Sequence, residues 1–445
     1  MPAEGPPWWI EDPLRRDPFG PWPPRIPDEA TGVNATIEDY RWLVGPEAAV
    51  YLEEKEQAVL DPLKALDSLR RDLPPQRAAL VVEQRQLRRR AAKKFAAADQ
   101  MFFTRLGLEQ ASGQVVAGYK AQRFAAAASV ADLCCGIGGD LLSLAVPVGH
   151  VPAGRQVVGI DRDPIAVSLA QANVAVLGRG ASVEAGDARQ VDVSQFDLWH
   201  IDPDRRTLGR RTTTLDYFEP DLGALDELIG RNDNVAVKLA PATAAPDHWQ
   251  AAAELEWISW QNECRQQVAW FGRLAECEGD ECAGRRRATW LSADGSRHSS
   301  ISGQADAPHE VAVRPASFVL DADPAVRAAH LTGALAAQFE LAALGTTAAY
   351  LTGDQPIADG LLTCFEVLDC LPFDLRRLTR LLRTRQIGRL EVKKRAVPNE
   401  VYTAASGLRT KGDGAATLFL TRLEERITAI LARRLNRELP PSGRA

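Results

Sequence analysis

Four aspartates stand at or beside the ends of short apolar runs near the middle of this chain. They are Asp132 in V-A-D-L-C-C, Asp161 in Q-V-V-G-I-D, Asp187 in S-V-E-A-G-D and Asp202 in L-W-H-I-D. Between the first two lies Gly136-Ile137-Gly138-Gly139-Asp140. A glycine turn between a strand and a helix lets backbone approach a ligand closely. An acid after the following strand suits the two hydroxyls of a ribose. A dinucleotide would want its pyrophosphate at the helix N-terminus. Here Asp132 and Asp140 frame the turn, and the third glycine of the dinucleotide spacing is missing. That frame disfavours phosphate and favours an adenosine ligand carrying a cationic centre and an amino group. Asp202-Pro203-Asp204 closes the last of these runs, followed by Arg205 and Arg206, with Arg210 and Arg211 close behind. His200, two residues before Asp202, shares its strand face and reads as a buried structural histidine. Lys238 and Lys120 read either as cleft-facing or as salt-bridged lysines. Cys134 and Cys135 fall in an expected core strand and read mainly as packing. Cys264, Cys277 and Cys282 lack paired C-x-x-C spacing, so no metal is expected.

The elements that must position these residues follow a strand–helix alternation. Strands are expected at Val130–Cys135, Gln156–Asp161, Ser182–Asp187, Phe196–Asp202 and Asn234–Leu239, with helices at Leu141–Val146 and Pro164–Leu177. Such a pattern implies an α/β fold with a mostly parallel sheet covered on both faces. Leu255–Trp260, Gln267–Phe271 and Ala288–Leu291 would complete a mixed edge. The expected organisation is a Pro/Trp-rich arm over 1–35, a helical region over 36–128 and the α/β domain over 129–292. A connecting segment over 293–345, a small α+β domain over 346–423 and a basic tail over 424–445 follow. Net charge is −6 over 445 residues, yet the stretch from Pro372 to Ala445 holds 17 Lys and Arg against 7 Asp and Glu. This asymmetry points to a polyanionic partner. The segment Gln76 to Lys94 adds seven cations against a single Glu83 and offers a second basic face. No run of about 18 apolar residues is present, so no membrane span is expected. The N-terminus lacks the plan of a secretory signal, and seven cysteines, an odd count, suit a reducing cytoplasm.

Taken together, D-L-C-C-G-I-G-G-D, G-I-D-R-D-P, A-G-D-A and H-I-D-P-D-R-R resemble the successive motifs of class I S-adenosylmethionine (SAM)-dependent methyltransferases. M-F-F-T, L-E-Q-A-S, V-K-L-A-P, F-E-V-L-D-C-L-P-F and G-R-L-E-V-K-K-R narrow the resemblance to the bacterial family with a THUMP-like C-terminal domain. The implied fold is a Rossmann-like class I sheet with an N-terminal helical region and a small α+β THUMP-like domain. The implied cofactor is SAM. Gly136 and Gly138 would pass under its methionine part, with Asp132 near the amino group. Asp161 would hold the ribose, Asp187 and Ala188 would flank the adenine, and Cys134, Asp140 and Arg162 would complete the cofactor set. Asp202, Pro203 and Asp204 would form the catalytic segment. Related amino-methyltransferases carry a second proline and an aromatic here, where this chain has Asp204 and Arg205. The implied substrate is a base in structured RNA (tRNA or rRNA), bound by the basic C-terminal domain and the Gln76–Lys94 helix. A protein or small-molecule methyltransferase, and a SAM-binding RNA-binding protein without catalysis, stay open as alternatives.

Overall fold

The computed structural model describes residues 35–53, 62–146, 152–207, 210–211, 213–277, 283–345, 350–408 and 410–435. The arm expected over 1–35 (apart from its last residue), Cys282 and the last ten residues lie outside the described residues, as do the side chains of Arg206, Arg210 and Arg211.

The N-terminal region is helical, as expected: α1 (Ile37–Val44), α2 (Pro46–Leu52), α3 (Pro62–Leu69), α4 (Pro75–Ala91), α5 (Arg105–Gln110) and α6 (Gln114–Ala121). Thr36 starts α1 by a reciprocal cap with Asp39, and Pro75 starts α4 with its φ already helical. Strand and helix then alternate through β1 (Ser129–Leu133), α7 (Leu141–Leu144), β2 (Gln156–Asp161), α8 (Pro164–Val176), β3 (Ser182–Ala185) and β4 (Leu198–Ile201). A two-residue ribbon, β5 (Arg206–Thr207) with β6 (Arg210–Arg211), precedes α9 (Leu222–Arg231), β7 (Val235–Leu239) and α10 (Asp247–Ala252). Next come β8 (Glu254–Trp260), β9 (Glu263–Trp270), β10 (Arg285–Leu291) and β11 (His298–Gln304). The rest comprises β12 (Val311–Ala312), β13 (Phe318–Ala322), α11 (Pro324–Ala328), α12 (Thr332–Gln338), β14 (Ala342–Leu344) and β15 (Tyr350–Gly353). The last elements are β16 (Leu362–Pro372), α13 (Leu375–Thr384), β17 (Ile387–Lys394), α14 (Asn399–Ser406), β18 (Gly414–Leu423) and β19 (Arg426–Arg434).

The described chain divides into two compact units, 35–114 with Cys135–Val146 and Val157–Asp187, and Val115–Cys134 with 152–156 and 188–435. In the first, β2 and β3 run parallel beside α8. In the second, seven strands follow one another in the order β11-β10-β8-β9-β7-β4-β1. The β1–β4–β7 part is parallel, and β9 and β11 pair antiparallel with their neighbours, which is the mixed edge expected. β1 and β4 are buried along almost their whole length, which is why they read as unbroken apolar runs.

The second unit also contains an eight-stranded sheet in the order β12-β14-β15-β13-β16-β19-β18-β17. Two boundaries change. The stretch 293–345, expected as a connector, supplies β11 to the first sheet and β12, β13 and β14 to the second. The tail expected from 424 is largely β19, paired with β16 on one side and β18 on the other. Its five central residues, Thr428 to Ala432, are buried, while the basic residues at its ends gave it the look of a solvated tail. α13 and α14 cover one face of this sheet, burying Leu378, Leu382 and Ala405 against Leu418, Leu420 and Leu431. Beneath β13, Asp321 accepts from Lys393 at 2.7 Å and Arg395 at 2.6 Å, with Arg327 at 3.5 Å. Burial alone would raise the Asp321 carboxyl, but Arg395, Lys393 and Arg327 outweigh it and hold it well below the carboxylate range.

Candidate functional site

β1 ends at Leu133, two residues earlier than expected, because Cys134 turns into the left-handed region at φ 55°. Gly136 and Gly138 follow with φ 55° and 89°, a conformation that only glycine adopts at low cost. No atom lies within 4 Å of where a Cβ on Gly136 would stand, so that side of the turn is open. Gly139 is needed for packing instead: a Cβ there would come 3.0 Å from Ala111 Cβ and 3.2 Å from the Ser112 backbone. Asp161, closing β2, shapes the turn directly. Its Oδ2 accepts from Gly136 N at 2.7 Å and its Oδ1 from Asp163 N at 2.9 Å. Burial raises its carboxyl above the ordinary value, while these two backbone N–H groups pull it back down. Asp163 caps α8 by accepting from Ile165 N, as its place before Pro164 suggested.

Buried amides fix the segments that lead to this turn. Asn173, fully buried in α8, accepts from Phe102 N at 2.7 Å and donates to Phe102 O at 3.0 Å and Ile137 O at 2.9 Å. Gln84, on the buried face of α4, donates to Met101 O and accepts from Phe103 N, each at 3.1 Å. Ser112 donates to Asp140 Oδ2 at 2.7 Å. The motifs M-F-F-T and L-E-Q-A-S are therefore the struts of the glycine turn. Sequence reading missed Asn173 and Gln84, although a polar amide on the apolar face of a helix was the available signal.

Several cations of the basic segment Gln76–Lys94 bond within the protein. Arg85 donates to the carbonyls of Tyr51 and Glu53, and Arg88 to those of Met101 and Gln100. Lys94 Nζ donates to Leu108 O, Glu109 O and Ala111 O, the carbonyls at the end of α5. Arg77 pairs with Asp39 at 3.2 Å. Three of the seven cations thus answer carbonyl groups that neighbouring segments present.

In the other unit, Asp132 and His200 are register partners on β1 and β4 and are both 1% exposed. His200 Nδ1 lies 2.7 Å from Asp132 Oδ1, and its Nε2 lies 3.2 Å from Nζ of Lys120, itself 2% exposed. With the Lys120 ammonium donating to Nε2, the ring carries its proton on Nδ1 and donates it to Asp132. The histidine is thus buried as expected, but as the middle of a three-residue relay. One register step on, Asp202 Oδ2 accepts from Lys238 Nζ at the end of β7. Lys238 is therefore the salt-bridged lysine of the two readings. Pro203 is buried, and the Asp204 backbone forms a two-way bridge with Glu219, 2.9 and 3.0 Å long. Ala188 is buried in a short 3₁₀ turn, Asp187 is half-buried and Arg162 is exposed. Among the described residues no group of three or more His, Cys, Asp or Glu is arranged to hold a metal. Cys277 is disulfide-bonded, which the reading of the cysteines as reduced thiols did not expect.

Two relatives from Mycobacterium tuberculosis (strains CDC 1551/Oshkosh and ATCC 25618/H37Rv) are each 33% identical over 358 residues, 78% of this chain and 93% of theirs. Both are named uncharacterized S-adenosylmethionine-dependent methyltransferases. The chain belongs to the S-adenosylmethionine-dependent methyltransferases. The THUMP domain-like family matches residues 362–434 of the methyltransferase, the span from β16 through β19. A solved structure of a candidate methyltransferase from Porphyromonas gingivalis W83 covers 90% of this chain and 98% of its own, with a TM-score of 0.68 at 19% identity. The methyltransferase shares that protein's fold, and in this chain a class I sheet is followed by the THUMP-like domain. Its cofactor is SAM, and the chemistry around the glycine turn fits that ligand. Beside the Asn173 amide, the acids Asp140 and Asp161 are tied in at the turn, and the Gly136 side is open. Acids accept from amino and hydroxyl groups and repel phosphate.

Proposed function

We propose that this methyltransferase modifies a base of structured RNA, a tRNA or rRNA, in the cytoplasm. SAM when bound supplies an electrophilic methyl group, and the protein's task is to position the acceptor and exclude water. We assign the cofactor to Asp132, Cys134, Gly136, Gly138, Asp140, Asp161, Arg162, Asp187 and Ala188, and the acceptor to Asp202 and Pro203. Asp204 acts through its backbone, by fixing the loop that carries those two residues.

The observation that carries the RNA reading is the outer face of α13. Arg376, Arg377, Arg380 and Arg383 are all exposed there, at the i, i+1, i+4 and i+7 positions of one helix. Among the described residues none of the four forms a salt bridge, whereas Arg385, Lys393, Arg395, Arg433 and Arg434 of the same domain all do. Asp374, which caps the helix, is the acid near them. A row of guanidinium groups held by no carboxylate suits phosphates spaced along a nucleic-acid backbone. The THUMP domain-like match over the same stretch supports the reading by analogy. Exposed Arg89 and Lys93 of the Gln76–Lys94 segment would add further cations to RNA binding.

RNA binding measured by filter retention over a range of salt tests this. The expected result is an affinity that falls steeply and linearly in log–log form, with a slope that several phosphate contacts require. Salt-independent or undetectable binding would leave the enzyme to a protein or small-molecule substrate.

A further inference from the structure

We propose that the curled end of the C-terminal sheet is an anion site, built from Arg327, Lys393 and Arg395 around Asp321, and that its ligand is a phosphate group. The site uses none of the α13 arginines and does not depend on the RNA reading above. Two of its cations come from the motif G-R-L-E-V-K-K-R, which forms β17 and the residue after it. In the sheet, β16, β19 and β18 separate β17 from β13. Strands stand about 4.8 Å apart, so a flat sheet would put β17 about 19 Å from β13. No lysine side chain spans that distance, yet Lys393 Nζ and Arg395 Nη2 both reach Asp321 of β13. The sheet is therefore curled. Its inner face closes over Tyr350, Phe365 and Phe419, whose rings meet edge-on at 4.8 Å. Arg395 lies 4.4 Å from the Tyr350 centroid, and Arg434 and Lys393 lie 4.8 and 5.5 Å from that of Phe365. Ring faces and the Asp321 carboxylate together hold these cations in fixed positions.

The charges here do not balance. Among the described residues, Arg327, Lys393, Arg395 and Arg434 meet Asp321, Asp323 and Glu391, four cations to three carboxylates. Asp323 is turned to its own helix, where it caps α11 by accepting from Ala325 N. Burial and then the neighbouring Arg395 pull the Arg327 guanidinium down to about 10, so repulsion among the cations persists in the folded protein. Excess charge of one sign in a partly buried place is costly, and an ion of the other sign relieves it. The Arg327 and Lys393 side chains are 28% and 26% exposed, against 9% for Asp321. An anion arriving from solvent thus meets the donors before the carboxylate. Ammonium and guanidinium groups only donate, and a guanidinium fork beside an ammonium suits the oxygens of a phosphate. That phosphate is either a free ion or part of an RNA.

The test titrates the full chain with inorganic phosphate by calorimetry at low chloride. Wild type should bind at about millimolar concentration or below. Arg327→Gln and Lys393→Gln should each weaken phosphate about tenfold or more, the loss expected when one charged hydrogen bond goes. Replacing Arg376, Arg377, Arg380 and Arg383 together by Gln should leave phosphate affinity within about threefold, because that row shares no partner with the cluster. Wild type decides alone if the Arg327 and Lys393 variants fail to fold. At about ten times its Kd, phosphate should slow acylation of Lys393 by an amine-reactive reagent about tenfold. Exposed Lys411 should keep its rate.

Phosphate that does not bind, or that binds equally well to folded Arg327→Gln and Lys393→Gln, would overturn the site. So would phosphate binding lost with the α13 row, or Lys393 acylation that phosphate leaves unchanged. Repeating the titration on protein saturated with total RNA separates the two sources. Phosphate excluded by RNA assigns the site to an RNA phosphate, and phosphate bound as before assigns it to the free ion; both support the site. Phosphate binding intact with no RNA binding at all would sink the RNA reading alone.

Discussion

Asn173→Leu should loosen the glycine turn without touching any proposed ligand contact. Leucine keeps asparagine's branching and heavy-atom count, so no cavity opens, and the main change is lost hydrogen bonding. The substitution strands Phe102 N, Phe102 O and Ile137 O, all of which now pair with the Asn173 amide. A stranded buried group costs about 1–3 kcal/mol, so three sum to roughly 3–9 kcal/mol. Relaxation of the loop and the added apolar burial offset part of this, the latter by about 1.5–3 kcal/mol. A net local loss of about 3 kcal/mol is the working figure, and it equals roughly a hundredfold in an opening equilibrium. Hydrogen exchange reads it directly. The Phe102 amide should exchange about a hundredfold faster in the variant, and the amides of the 136–139 turn should follow. SAM affinity should fall in parallel, since Ile137 sits between the two glycines proposed to pass under the ligand. Unchanged protection at Phe102, or lost protection with full SAM affinity, would refute the claim that this amide braces the turn.

Three further outcomes are expected. His200→Leu leaves Lys120 and Asp132 charged and buried without their bridge, which should cost about 3–5 kcal/mol by thermal melting. Adding Lys120→Met should cost less than the sum of the two single changes, because the residues share partners. Replacing Arg376, Arg377, Arg380 and Arg383 together by Gln should weaken RNA binding and flatten its log–log salt slope by about 0.7–0.9 for each phosphate lost. SAM affinity should not change in that variant. Asp321 has a folded-state pKa below its unfolded value, so its contribution is present above the ordinary carboxylate range and is lost as pH falls below about 4. Asp321→Asn should make the C-terminal domain less stable at neutral pH and less sensitive to acid, as acid unfolding curves would show.

The strands that carry the candidate site residues were legible because most of their apolar residues are buried. β1, β2, β4 and β7 read as unbroken apolar runs ending in Asp, Lys or a glycine turn, and a parallel sheet needs such runs. The aspartates therefore stand at or beside the ends of strands, as the sequence suggested. What was not legible is the identity of their partners. Lys238 and Lys120 each allowed two readings until β7 and α6 were in place, since a sequence does not say which strand lies beside which. The internal bonds of α4 were hidden for the same reason. Arg85, Arg88 and Lys94 answer carbonyl groups that lie 12 to 34 residues away. Nothing local distinguishes such cations from a solvated or phosphate-binding face. β19 was hidden by its own charges: arginines at both ends framed five buried residues, and the pattern passed for a basic tail.

The most direct test of the account is methyl transfer itself. Purified full-length protein would be given methyl-labelled SAM together with RNA, protein and small metabolites from cells lacking it, alongside an Asp202→Ala variant. The account predicts label in one size class of RNA and its loss in the variant, with SAM binding kept. Label in protein or metabolites and none in RNA would contradict it.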